Sequence, residues 1–258
     1  MNNICLSLIL FCLLLIGCSE TPPATANKKE PPQYHLCTIM GPERPTDSLI
    51  GDASFLWKKK IVSVYFMDDD GNMRDRIIHL ANSWRPHTGI TFVRSLTDNN
   101  SDIRISFRTN GWWSFIGTAS SQVGKDSVTM SLDSVYLYDD AKIKSVVLHE
   151  FGHAIGLIHE HQHSGLEIPW DKPALYKYYD DTYDVSPGWV DTNVIQKYGS
   201  PTAIYCEPDT NSIMIYEIPD SVTIGAFEVL EPLDLSALDK KYINYMYTGK
   251  NCKTYSFN

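Results

Sequence analysis

The stretch HEFGHAIGLIHEHQH, residues 149–163, holds five of the chain's 8 histidines within 15 positions. On a helix, His149 and His153 are four residues apart and leave from the same face, so both imidazoles reach one ion. Gly156 lacks a Cβ and can take the left-handed conformation that stops the helix and turns the chain back, which brings His159 to a third position. Zinc suits these ligands, and three histidines leave a tetrahedral zinc one open place, the mark of a catalytic rather than a structural ion. Glu150 adjoins the first ligand. It points away from the ion but is well placed to take a proton from water on the open position, whose pKa zinc lowers to about 7. The chemistry indicated is hydrolysis, with Glu150 as general base and then as acid toward the leaving amine.

The segments around this motif read as an α+β chain. KIVSVYF (residues 60–66) is rich in β-branched and aromatic residues and predicts a strand. A helix follows, with Ile77, Ile78, Ala81 and Trp84 at helical spacing and with Pro86 and Gly89 expected to end it. ITFV (90–93) and DIRISFR (102–108) predict two more strands, the second with one buried face because Ile103, Ile105 and Phe107 alternate with Arg104, Ser106 and Arg108. WWSFIG (112–117) and SVTMSL (127–132) are shorter strand candidates, and the second is a candidate sheet edge for pairing with an extended substrate or else a covered interior strand. The motif helix is expected from Lys142 to Ile155, deeply buried. Beyond it come short helices in long loops, KPALYKYYDD and WVDTNVIQKY, and a last helix over 234–247.

The two ends and the charge limit what the chain does. A net charge of -9, with no basic run, argues against a nucleic-acid partner. Residues 1–17 read as a signal peptide, and LIGC, ending at Cys18, resembles a lipobox, with a plain secretory signal as the alternative. The chain is thus expected outside the cytoplasm, as a lipoprotein of a bacterial membrane with its lipid anchor at Cys18. Residues 18–50 then form a lipid-anchored tether and candidate pro-segment, and residues 51–258 the catalytic domain that carries the zinc motif. Loss of the signal leaves Cys37, Cys206 and Cys252 beyond the anchor, with Cys206–Cys252 the preferred bridge because both lie in the C-terminal part. Cys37 reads first as a bridge partner or idle thiol.

The spacing H-E-x-x-H-x-x-G-x-x-H followed by a Met-turn is the metzincin pattern, and NSIMIY (211–216) is a candidate Met-turn. HEFGHAIGLIHEH and SIMIY resemble the astacin-like family within that class, and LWKKKIVSVYF, GITFV and WWSFIG sit where such domains have comparable segments, over roughly residues 51–247. The resemblance implies a two-lobed metzincin domain: a twisted mixed sheet with long helices above a cleft, and an irregular lower lobe with a C-terminal helix. It implies one catalytic Zn2+ on His149, His153 and His159, Met214 beneath the metal, and Tyr216 as a swinging ligand and oxyanion donor. It also implies protein or peptide substrates.

In that family the counterpart of Glu160 pairs with the N-terminal amine released from a propeptide, whereas its own chemistry equally suits a carboxylate that holds a ligand or loop. The chain has fewer cysteines than animal astacins, so their bridges do not carry over, while the metzincin resemblance implies a second reading of Cys37, as a thiol laid on the metal to keep a proenzyme silent. His161 and His163 are expected to face solvent or to support ligands, and Trp112 and Trp113 to line the cleft or pack its rim. Two other functions fit the same motif: a surface binding lipoprotein without turnover, against which an intact Glu150 counts, and a zinc hydrolase acting on a non-protein amide.

Overall fold

A computed structural model describes residues 37–40, 55–68, 72–97, 101–197 and 207–249. The signal peptide, the Cys18 anchor, most of the tether and the Cys206–Cys252 bridge lie outside the described residues. Among these residues, six strands form one mixed sheet: β1 (Cys37–Met40), β2 (Ile61–Phe66), β3 (Thr91–Arg94), β4 (Ile103–Ser106), β5 (Trp112–Phe115) and β6 (Met130–Leu132). Their order is β1-β5-β6-β4-β2-β3. β2, β3, β4 and β6 run parallel, β5 lies antiparallel to β6, and β1 runs parallel to β5 along its outer side. SVTMSL is therefore the covered interior strand, with β5 beside it and β1 at the edge of the sheet on that side.

Helices α1 (Met73–Ala81), α2 (Arg85–Thr88) and α3 (Asp140–Ala154) complete the upper half. Val62, Val64 and Phe66 of β2 join Ile77, Phe92, Ile105, Val147 and Phe151 in one apolar cluster. Phe151 meets Phe92 edge-on, with ring centroids 4.8 Å apart. Pro86 does not end the first helix. The break falls earlier, in the turn Asn82–Trp84, and Pro86 sits in the first turn of α2, where a missing N–H costs nothing. Gly89 ends α2 with a φ of 72°.

The alternation in DIRISFR likewise does not give β4 a wet face, because all four of its residues are buried. Arg104 is only 3% exposed, and its guanidinium donates to the carbonyls of Ser101, Ser120, Gly124 and Ser127. A buried cation persists there because backbone oxygens replace its water.

The lower half is built on α4 (Lys172–Tyr183), α5 (Pro187–Val190), a π-helical turn (Asp191–Ile195) and α6 (Ala237–Thr248). Asp171 caps α4 and Pro173 stands in its first turn. A second apolar cluster, including Leu175, Tyr179, Val194, Ile215 and Ile218, lies here, while Ile243 of α6 joins the first cluster. None of the described helices is long and apolar enough to cross a membrane.

Phe151 is fully buried between the sheet and α3. Phe151→Ala is expected to cost about 3–5 kcal/mol, seen as a lower urea midpoint with an unchanged m-value.

Candidate metal centre

The centre is built on the end of α3. Asp139 caps the start of this helix by accepting the Lys142 N–H. At the other end, Leu157 N–H reaches the Gly152 carbonyl at 3.0 Å and Gly156 N–H the His153 carbonyl at 2.8 Å, the bond pair of a Schellman turn. Gly156 supplies the φ of 105° that this reversal requires. The next two carbonyls find partners from far along the chain. Trp57 Nε1 donates to Ala154 at 2.7 Å and the Tyr247 hydroxyl to Ile155 at 2.9 Å.

The reversal brings His159 back over the helix. The ring nitrogens of His149, His153 and His159 lie within 4.8 Å of one another, all three side chains buried. His153 Nε2 and His159 Nε2 are 3.1 Å apart. Two nitrogens about 2.0–2.1 Å from one tetrahedral zinc would stand about 3.3 Å apart, so the spacing suits such an ion. The other ring nitrogens support the same reading. His149 Nδ1 meets the Ile213 carbonyl at 2.6 Å and His153 Nδ1 the Leu157 carbonyl at 2.9 Å. A carbonyl only accepts, so both Nδ1 atoms carry the proton and both Nε2 lone pairs face inward. His149 Nε2 is buried with no hydrogen-bond partner, as a ligand atom facing a metal position would be.

Burial holds the imidazoles of His149 and His153 neutral. It lowers His149 to about 4, against a raising effect of the Ile213 carbonyl, with Lys142 lowering it further. Burial likewise pushes His153 well below its ordinary value, and the neighbouring His149 adds to this. Neutral nitrogens are the form that binds a metal.

Met214 lies against α3 at Gly152, one residue before His153. A Cβ on Gly152 would come within 2.3 Å of its sulfur and 3.4 Å of the Trp84 ring, so this glycine in HEFGH makes room for the Met-turn. Asp239 at the start of α6 holds that turn. It accepts the Ser212 hydroxyl at 2.6 Å, the Ile213 N–H at 2.9 Å and the Ser236 N–H at 2.8 Å. Burial raises the Asp239 carboxyl while those three donors pull it down. Asp239 is absent from the site expected from the sequence, although SALD at 236–239 has the S-x-x-D form of a capping box, which the helix does make.

Glu150 is 1% exposed and shares a cavity of about 140 Å³ with His149 and Tyr216. Trp112, Lys142 and Val146 also line it from above, and Tyr178, Tyr179 and Tyr183 of α4 from below. Trp112 thus lines the cleft and also packs, its indole donating to the Asp133 carbonyl. The three tyrosines belong to KPALYKYYDDTY, whose sequence pattern indicates only a helix. Tyr216 lies beside the centre, with its ring centroid 4.5 Å from His159 and 6.4 Å from His149.

His161 and His163 do not face solvent; both are fully buried. The segment after α5 covers them: Gln162 donates to the carbonyls of Thr192 and Gln196, and Lys197 to that of His161. Glu160 holds loops together. Its N–H reaches the Met214 carbonyl at 3.0 Å, and its Oε1 accepts the Asp209 N–H at 2.9 Å. Burial pushes its carboxyl up to about 8; the Asp209 N–H opposes this, Asp239 and Asp209 add to it, and Lys197 opposes it.

A helix bearing two histidines, a glycine turn delivering a third and a methionine turn beneath them define a metzincin-type metal centre. Residues 50–248 match the model of the Astacin peptidase family. The chain is 27% identical over 177 residues to an astacin-like metalloendopeptidase of Gallus gallus, covering 65% of this chain and 38% of that protein. It is 35% identical over 78 residues to Tolloid-like protein 2 of Mus musculus, covering 30% of this chain and 7% of that protein. It therefore spans well under half the length of these curated relatives. The solved structure of myroilysin superimposes with a TM-score of 0.70 at 32% identity, covering 77% of this chain and 98% of that one. A hatching-enzyme zinc-protease of Oryzias latipes shares the fold at a TM-score of 0.50 and 18% identity, covering 76% of this chain and 95% of that one. The chain belongs to the astacin family, and its three-histidine group fits the family's single zinc.

Gly152→Ala is expected to lower stability by about 1–3 kcal/mol by urea denaturation, because its methyl overlaps the Met214 thioether. In a Met214→Ala background the same change should cost measurably less, since the overlapping atoms are gone.

Proposed function

We propose that this chain is a zinc-dependent endopeptidase acting on proteins or peptides. The observation that carries the reading is the convergence of three buried imidazoles, one of which shares a cavity with the buried Glu150. An ion on His149, His153 and His159 would supply a Lewis acid and lower the pKa of water to about 7. Glu150 then accepts the proton of the attacking water and returns it to the departing amine. The Tyr216 phenol, at the same cavity wall, donates to the oxygen on which negative charge develops. His149 and His153 keep their directions because the Ile213 and Leu157 carbonyls hold their far nitrogens.

An extended peptide is proposed to add to the outer edge of β5, which runs past this cavity through Trp112. The backbone of β1 occupies that same edge, so a substrate strand and residues 37–40 compete for one position. A surface binding protein without turnover has no need of a buried glutamate at the centre, and the family favours a peptide over another amide.

Cleavage of a diverse peptide mixture is expected, with full loss on zinc chelation and recovery on adding zinc. Glu150→Ala with equal zinc content should lower kcat by about 10²–10⁴-fold. Full zinc occupancy with no peptide cut would sink the reading.

We also propose that the chain is a lipoprotein outside the cytoplasm, anchored through Cys18. The support is the LIGC run after an apolar core of 13 residues, Ile4–Ile16. Labelled fatty acid should enter the wild type in bacterial cells and be absent from Cys18→Ala.

A further inference from the structure

We propose that His161 is a positioning residue for the reaction, its buried imidazole forming the wall that holds Tyr216 beside the metal-binding histidines. The inference rests on the endopeptidase reading, in which the Tyr216 phenol acts on the substrate. The turn Glu160–Gln162 follows His159 directly and brings His161 parallel to it, with ring centroids 5.1 Å apart and planes 27° apart. The Tyr216 ring packs against both. Its centroid is 4.1 Å from that of His161 at 30°, closer than the 4.5 Å to His159.

The wall is itself anchored. His161 Nε2 faces the Asn193 carbonyl at 3.3 Å and, since a carbonyl only accepts, must donate there, which sets the ring's orientation. Asn193 belongs to the π-helical turn Asp191–Ile195, and its side chain donates to the Trp189 carbonyl at 2.8 Å. The main chain of His161 is pinned as well, its carbonyl accepting Lys197 Nζ at 2.8 Å. A line of contacts thus runs from the lower lobe through His161 to Tyr216 and the ligands.

A small cavity is bordered by His161, Trp170, Leu175, Tyr179 and Tyr216, and none of His149, His153 and His159 lines it. His161 and Tyr216 both border that space, and their rings pack on each other. Without the ring, Tyr216 gains room to fall back into the cavity and away from the ligands. Holding Tyr216 against this movement is the part assigned to His161. The role is steric and orientational, and it requires no change in the charge of His161.

The test is a pair of cycles on the full chain, using a fluorogenic peptide built on a site the wild type cuts. His161→Ala is expected to lower kcat about tenfold, the upper range for an aromatic pair, with KM within about twofold and zinc content unchanged. In the Tyr216→Phe background the same change should lower kcat less than about twofold, because the phenol it positions is already gone. His161→Phe, which restores a flat ring without the Asn193 bond, should recover most of the loss. Equal losses in both backgrounds, with His161→Phe as poor as His161→Ala, would overturn the inference and leave the endopeptidase reading standing. Fluorine NMR of fluorotyrosine-labelled protein gives a readout free of turnover. The Tyr216 resonance, assigned by its loss in Tyr216→Phe, should move or broaden in His161→Ala and return in His161→Phe. An unchanged resonance in His161→Ala would also overturn it, even if the wild type cut no peptide and the endopeptidase reading failed.

Discussion

Helix α3 has to stop between its second histidine and its next turn, and the way its last carbonyls are paired decides whether a third imidazole can arrive. A helix end leaves several carbonyls without partners, and burying one unpaired costs about 1–3 kcal/mol. Here the Gly152 and His153 carbonyls are closed by the reversed chain itself, while those of Ala154 and Ile155 are closed by Trp57 and Tyr247. One of these donors precedes β2 and the other lies in the last helix. The turn that delivers His159 is therefore stable only when the two ends of the domain have already packed around α3. A local glycine permits the reversal, and distant aromatic residues make it a buried one.

The same dependence runs through the floor of the centre. Met214 can lie against α3 only because Gly152 carries no side chain. The turn that presents Met214 is held by Asp239, whose carboxylate draws together the Ser212 hydroxyl and the Ile213 and Ser236 amides. Ile213 in turn offers its carbonyl to His149 Nδ1, so one carboxylate in α6 bears on the direction of a metal ligand through two bonds. Each link is polar and buried, where an unmade bond is expensive and a made one is rigid. Burial also keeps the histidines neutral, so the water-excluding environment that costs a charged group dearly prepares these ligands for an ion.

Much of the upper half was legible because its side-chain periods are local. The strand at 61–66, the helix at 140–154 and the histidine spacing each follow from residues within a few positions of one another. The failures share a cause. Arg104 alternates like a solvent-facing residue, yet a loop thirteen or more residues later closes over it with Ser120, Gly124 and Ser127 carbonyls. His161 and His163 follow a turn and look exposed, yet the segment at 191–197 covers them. SVTMSL suits a sheet edge and a covered interior strand alike, and only the pairing of β5 outside it decides for the second.

The sequence by itself therefore determined the chemistry: two histidines on one helical face, a glycine that can reverse the chain, a third histidine at the reach of that reversal, a glutamate beside the first and a methionine turn downstream. These are short-range matters of helix geometry and donor type. Only the tertiary structure decided what surrounds that chemistry: which carbonyls fix the imidazoles, which carboxylate holds the methionine turn, that three tyrosines of α4 wall the cavity, and that His161 stands behind Tyr216. Such contacts join residues tens of positions apart, and burial and pairing at that range depend on how whole elements pack, which no local pattern of side chains encodes.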